Sequence, residues 1–190
     1  STTSKSKKKA TVNNDDIPNV LNREFSEKTA LEVVVSDLTY VKVDGKWNYI
    51  CLLLDLSNRK IIGSAVGKNK DAKLVQTAFF SVQSDLRRIK LFHTDRGSEF
   101  KNEIVESILN AFNIARSLSH KGTPVDNSVA ESMYNIVKRE FANREFQSLH
   151  QLEILWFDFV NWYNNIRIHG TLGYLAPSEF EKRNLIIEKL

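Results

Sequence analysis

Apolar positions cluster in short β-branched runs over the first third of this chain and recur at helical spacing over much of the rest. Residues 32–43, EVVVSDLTYVKV, read as a strand. Asp44-Gly45 is a hairpin signal, because both residue types tolerate the positive φ of a tight two-residue turn. KWNYICLLLDL (46–56) is the return strand, Ser57 to Arg59 turn the chain again, and KIIGSAVG (60–67) makes a third strand. Leu74, Val75, Ala78, Phe79 and Val82 then predict a helix over 71–85. IKLFHT (89–94) is a short strand ending at Asp95. Ser98 is expected to cap a helix whose apolar face is Ile104, Val105, Ile108, Leu109 and Phe112. IARSLS (114–119) predicts a fifth strand, and after the loop HKGTPVDN come helices over 127–142 and 149–167. The last is apolar nearly all round and is expected to be well buried, with Trp47, Trp156 and Trp162 as core residues. The order β-β-β-α-β-α-β-α-α predicts an α/β fold, a mixed five-stranded sheet flanked by helices.

Composition changes this picture little. Apolar residues make up 42% and charged residues 26% of the 190, ordinary for a globular domain. No apolar stretch approaches the roughly 20 residues of a membrane helix, and no signal-peptide pattern follows the basic start. A cytoplasmic protein with no membrane partner is expected. The single cysteine, Cys51, lies in an apolar run and reads as a buried thiol, which rules out a cysteine-built metal cluster. The net charge of +4 comes entirely from Lys5, Lys7, Lys8 and Lys9; the rest of the chain carries 23 charges of each sign. Residues 1–18 are therefore read as a flexible basic arm and 19–190 as one folded domain. Any DNA contact by the domain has to use local basic patches.

Three acids occupy positions that need explaining. Asp37 interrupts the apolar strand VVVSDLTYV, where an unpaired carboxylate is costly. Asp95 ends the strand LFHT at the turn DRGS, and strand ends in α/β folds favour ligands. Glu131 follows the HKGTPVDN loop on a helix. Singly, each is as well read as a turn former or a solvated residue. Together, and without a His or Cys cluster, they form a set of hard oxygen donors suited to Mg²⁺ or Mn²⁺. Two such ions about 4 Å apart are a recurring device for phosphodiester chemistry.

The segments DLTYV (37–41), HTDRGSEF (93–100), KGTPVDNSVAESMYNIVKRE (121–140) and YNNIRIHGTLGYLAP (163–177) resemble the transposases of bacterial insertion sequences of the "insertion sequence three" family, whose core is related to retroviral integrases. The 35 residues between Asp95 and Glu131 match that family's DD(35)E spacing. The resemblance implies a ribonuclease-H-like fold and a metal-binding triad of Asp37, Asp95 and Glu131. It also implies DNA strand cleavage and strand transfer at mobile-element ends, in a nucleoid-associated bacterial protein that acts as a homo-oligomer on DNA. Two departures are visible. The family's Trp shortly before the first Asp is replaced here by Val33 to Val35, and its N-terminal helix-turn-helix has no counterpart, so the chain is expected to be a catalytic fragment. An inactive DNA-binding derivative is the alternative reading.

Supporting residues are weighed against plainer roles. Lys138, nearly two helical turns after Glu131, is expected on the same face and matches a family lysine, so it reads as a DNA-phosphate contact. Lys121, Asn127 and Arg167 are further DNA-contact candidates, with helix capping an equal reading for Asn127. His93 shares a strand face with Asp95 and reads best as a hydrogen-bonded structural histidine.

Overall fold

The computed structural model describes residues 16–25 and 28–187; the lysines of the basic arm lie outside the described residues. Strands β1 (Val33–Val43), β2 (Lys46–Asp55) and β3 (Ile61–Gly67) form an antiparallel meander, and β4 (Leu91–Thr94) and β5 (Ala115–Leu118) extend it in parallel. The sheet order is β3-β2-β1-β4-β5, which puts β1 at the centre. At the first hairpin Asp44 and Gly45 have φ of 48° and 69°, and the flanking Val43 and Lys46 are partners, so the turn is the tight two-residue kind its sequence predicts.

Side-chain alternation along β1 and β2 sorts the apolar residues into two cores. Val33, Val35, Val41, Ile50, Leu52 and Leu54 face α3 (Ser128–Glu140) and α4 (Leu149–Asn165). Val34, Cys51 and Leu53 face α1 (Ala72–Phe80) and α2 (Glu103–Ala111). Cys51 is wholly buried, as expected. The aromatic residues Phe141, Trp156 and Phe159 stack against one another over the first core.

Four expectations are corrected. The helix predicted over 71–85 stops at Phe80, because the Ser81 hydroxyl turns back to the Ala78 carbonyl and also accepts the Ser64 N–H. The helix cap is Asn102 rather than Ser98: its Oδ1 accepts the Val105 N–H at 3.0 Å, while Ser98 lies in a preceding tight turn. Helix α4 is buried along one stripe, Leu152, Trp156, Phe159 and Tyr163, and leaves Phe157 74% exposed. Trp47 is not core; it stands 54% exposed at the end of the hairpin. A final helix, α5 (Pro177–Ile187), was not foreseen. Its start carries Pro at the first position and Glu179, whose carboxylate accepts the Ala176 N–H.

Candidate active site

Strands β1 and β4 pair only through Val33, Val34 and Val35, the last opposite His93. Two residues beyond that final pair, one on each strand, come Asp37 and Asp95. Parallel register and a period of two place both on the same side of the sheet, at the point where the strands part. That side is covered by α3, and Glu131 lies in the first turn of α3. The Tyr134 hydroxyl, buried one turn further along, donates to the carbonyl oxygen of Asp37. The helix bearing Glu131 is thereby tied to the strand bearing Asp37. All three acids line one open cleft of about 400 Å³, together with Lys121 and Asn127.

The electrostatics of the cleft are those of an unneutralised acid pair. Burial raises the Asp37 carboxyl to about 7, and the neighbouring charge of Asp95 pushes it the same way; the Leu38 N–H, donated at 2.7 Å, offsets part of this. A fourth acid, which sequence reasoning did not single out, adds to the repulsion. Glu99 is 3% exposed; one carboxylate oxygen meets Lys70 Nζ at 3.1 Å and the other has no partner. Gly97 explains how Glu99 comes so near. A Cβ there would lie 2.5 Å from Glu99 Oε1 and 2.9 Å from Asp95 Oδ1, so only glycine lets the two carboxylates share this turn.

The loop leading to Glu131 is held by another acid absent from the sequence reading. Asp126 is 1% exposed and accepts Arg23 Nε at 2.7 Å, the His120 N–H at 3.0 Å and His120 Nδ1 at 2.7 Å. These bonds hold its carboxyl well below the usual range. His93 is fully enclosed, bridging Ser117 and Ser119 through its two ring nitrogens, and burial lowers it to about 4. It is the neutral, structural histidine that was expected. Asn127 sits at the start of α3 but makes no capping bond; it is 4% exposed and its Oδ1 has no partner. Lys121 is exposed at the cleft. Lys138 and Arg167 are not part of it. Lys138 lines a separate cleft beside Lys42 and Trp47, and Arg167 bonds to the Ile168 carbonyl and the His169 ring.

The donor set fits a hard divalent cation. It offers carboxylate oxygens, with Asp37 raised by burial and then by like charge, and an unpartnered Glu99 oxygen behind it. Among the described residues no group of three or more His, Cys, Asp or Glu side chains is gathered closely enough to hold a metal ion. No described helix is long and apolar enough to cross a membrane.

A five-stranded sheet in this order, with acids where β1 and β4 diverge, has the ribonuclease-H-like fold of integrase and transposase catalytic cores. The catalytic core domain of HTLV-2 integrase in complex with magnesium superposes with a TM-score of 0.60 at 13% identity, covering 87% of this chain and 97% of that one. Two integrase core domain profiles match residues 27–124 and 112–177. The transposase for insertion sequence element IS904 of Lactococcus lactis is 30% identical over 88% of this chain and 68% of its own length. Transposase InsF for insertion sequence IS3A of Escherichia coli is 30% identical over 88% of this chain and 59% of its own. The chain therefore belongs to the integrase core domain family, within the IS3-type transposases, and spans about three fifths to two thirds of those relatives. The family is divalent-metal dependent.

Proposed function

We propose that this chain is the strand-cutting and strand-joining core of a DNA transposase, with Asp37, Asp95 and Glu131 as its metal-holding catalytic residues. The observation that carries the reading is the meeting of these three acids, from β1, the end of β4 and α3, on one cleft. They would hold Mg²⁺, with Mn²⁺ as a substitute. When bound, the ions supply Lewis acidity at the scissile phosphate and at the attacking and leaving oxygens.

The protein's own work is placement. Asp37 lies on β1 and Asp95 directly follows β4, and the Tyr134 bond keeps Glu131 in step with Asp37. The Asp126 anchor fixes the loop that carries Lys121 into the cleft, where an exposed ammonium meets a phosphate. Asn127 offers a buried, unpartnered oxygen to a substrate amino group. In cutting, a water oxygen bonds to phosphorus as the bond to the 3′ oxygen breaks, leaving a free 3′ hydroxyl. In joining, that hydroxyl attacks a target phosphodiester and displaces its 3′ oxygen. Each step makes one P–O bond and breaks one, so no energy donor is required. Joining two element ends calls for at least two copies on DNA, in the nucleoid-containing cytoplasm of a bacterium.

The test is nicking of a labelled duplex in Mn²⁺ by the protein and by Asp95→Asn. The variant should lose at least about 10²–10³-fold in rate while binding DNA about as tightly as the parent. Equal nicking by both proteins removes the assignment, and salt-independent binding removes the phosphate contacts.

A further inference from the structure

The reaction above leaves a second open cleft unused. It has a volume of about 360 Å³ and lies between the far end of β1 and the last turn of α3. One wall is aromatic. Tyr40 and Trp47 stand on the outer face of the β1–β2 hairpin, 56% and 54% exposed, with ring centroids 4.9 Å apart and planes at 82°. Register brings them together: Lys42 lies directly opposite Trp47, and Tyr40 lies on the diagonal. The other wall is cationic. Lys138 forms no ion pair among the described residues, and Arg144 is fixed by bonds to the Glu140 and Phe141 carbonyls. Lys42 Nζ sits 5.4 Å from the centre of the Trp47 ring. Glu145 is the one acid lining the cleft, against three bases.

The position of this cleft relative to the acid cleft is set by two elements that run between them. β4 runs beside only Val33–Val35, so the edge of β1 from Asp37 to Val41 has no strand against it before Phe146 bridges that edge at Val43. Three residues of strand, from Asp37 to Tyr40, span about 10 Å. Seven residues of helix, from Glu131 to Lys138, span about 10.5 Å. Tyr40 points to the opposite face of the sheet from Asp37, so the path between the clefts crosses the β1 edge, over about three steps of a nucleic-acid strand at roughly 3.4 Å each.

We infer that this cleft is a single-stranded DNA subsite: a base about three nucleotides from the cut stacks on Trp47 and Tyr40 while Lys42, Lys138 and Arg144 hold the flanking phosphates. Exposed aromatic rings beside cations are what a strand without fixed sequence requires, since every base has a face to stack and every link a charge. The inference rests on the proposed DNA chemistry and adds a place where the strand must be unpaired.

The probe is a 20-base-pair duplex of arbitrary sequence, blunt or with a six-nucleotide 3′ tail, bound without metal. The tail should quench tryptophan fluorescence, and Trp47→Phe should remove that quenching. Trp47→Ala should weaken binding of the tailed duplex by about tenfold and leave the blunt one within about twofold; Trp47→Tyr should restore it. Because Trp47 is exposed, an unchanged melting temperature checks the fold of the variants. A 5-bromouracil placed along the tail should crosslink to Trp47 best near its third position. If Trp47→Ala binds both duplexes as the parent does, the subsite is overturned while nicking and the proposed function stand. If the parent binds neither duplex, both fall.

Discussion

Asp126 accepts hydrogen bonds from three donors, while Asp37 accepts one, from the N–H of its own neighbour. Asp126 is buried beneath the loop that lines the cleft and Asp37 lines the cleft itself, yet the former is held below the usual range and the latter is raised to about 7. Saturation of its oxygens makes Asp126 a strut: the negative charge is spent inside the protein, fixing the loop before α3. Asp37 is left short of donors, next to Asp95 and within the field of Glu99, so its charge is available to a cation. A buried acid that destabilises the empty fold is what a metal-holding site calls for, and a buried acid with all its bonds made is what a scaffold calls for.

The sharpest way to break this contrast is to neutralise each acid in turn. Asp37→Asn should abolish nicking and yet stabilise the metal-free protein at pH 8 by roughly 2 kcal/mol, the raised carboxyl being discounted for partial exposure. Asp126→Asn should do the reverse, costing about 2 kcal/mol and slowing nicking by far less. Urea melts of the two variants alongside nicking rates give both quantities. If Asp37→Asn proves the less stable variant, Asp37 is a strut like its counterpart and the active-site reading fails.

Acidity gives a second separation, somewhat smaller. The folded state holds the Asp37 proton up to about pH 7, against 3.8 for an ordinary aspartate. Its contribution to stability is therefore full below about pH 4 and is lost as pH rises to 7. Asp126 contributes above its unfolded value near 3.8, and that contribution is lost only as pH falls below it. His93, lowered to about 4, costs stability below about pH 6.5, so the slopes have to be taken as differences between variant and parent. The Asp37→Asn difference should grow from pH 4 to 7 and flatten above, and Mg²⁺ should shrink it. A difference independent of pH contradicts the Asp37 assignment.

Much of this was legible from the chain. The five strands and their succession along the chain follow from the apolar runs and turns, whereas the parallel pairing of β1 with β4 that brings Asp37 and Asp95 to one place comes from the structure. The spacing to Glu131 and the family resemblance supplied the third acid. What was not legible depends on partners distant in sequence. Asp126 reads as a loop residue until Arg23, about a hundred positions earlier, is seen to meet it. Glu99 reads as a solvated acid until Gly97 is seen to admit it behind Asp95. Trp47 reads as core by its size and apolar ring, and only the structure shows it half exposed at the end of the hairpin, edge-on to Tyr40. The start of α5 was readable in Ala176-Pro177-Ser178-Glu179 and was missed for want of an apolar period, which that helix lacks.

Glu99 lies between the two regimes, with one oxygen paired to Lys70 and the other unpartnered, and the smallest expected effects come from it. Glu99→Gln removes a repulsion on Asp37 and Asp95 but also an ion pair whose lysine is 48% exposed and so contributes little. The balance favours the metal-free variant, with a rise in melting temperature of about 2–4 °C if the net gain is near 1 kcal/mol. Lys70→Met should act with the opposite sign, since it deletes the only cation paired with Glu99 in the described structure and leaves the repulsion intact. Mn²⁺ affinity, read by titration rather than by turnover, should fall slightly in Glu99→Gln and rise in Lys70→Met, because the bound ion and the ammonium relieve the same charge. Shifts of the same sign in the two variants would mean that Glu99 and Lys70 matter only as a pair bridging the β3–α1 turn to the DRGS loop, with no bearing on the acids beside them.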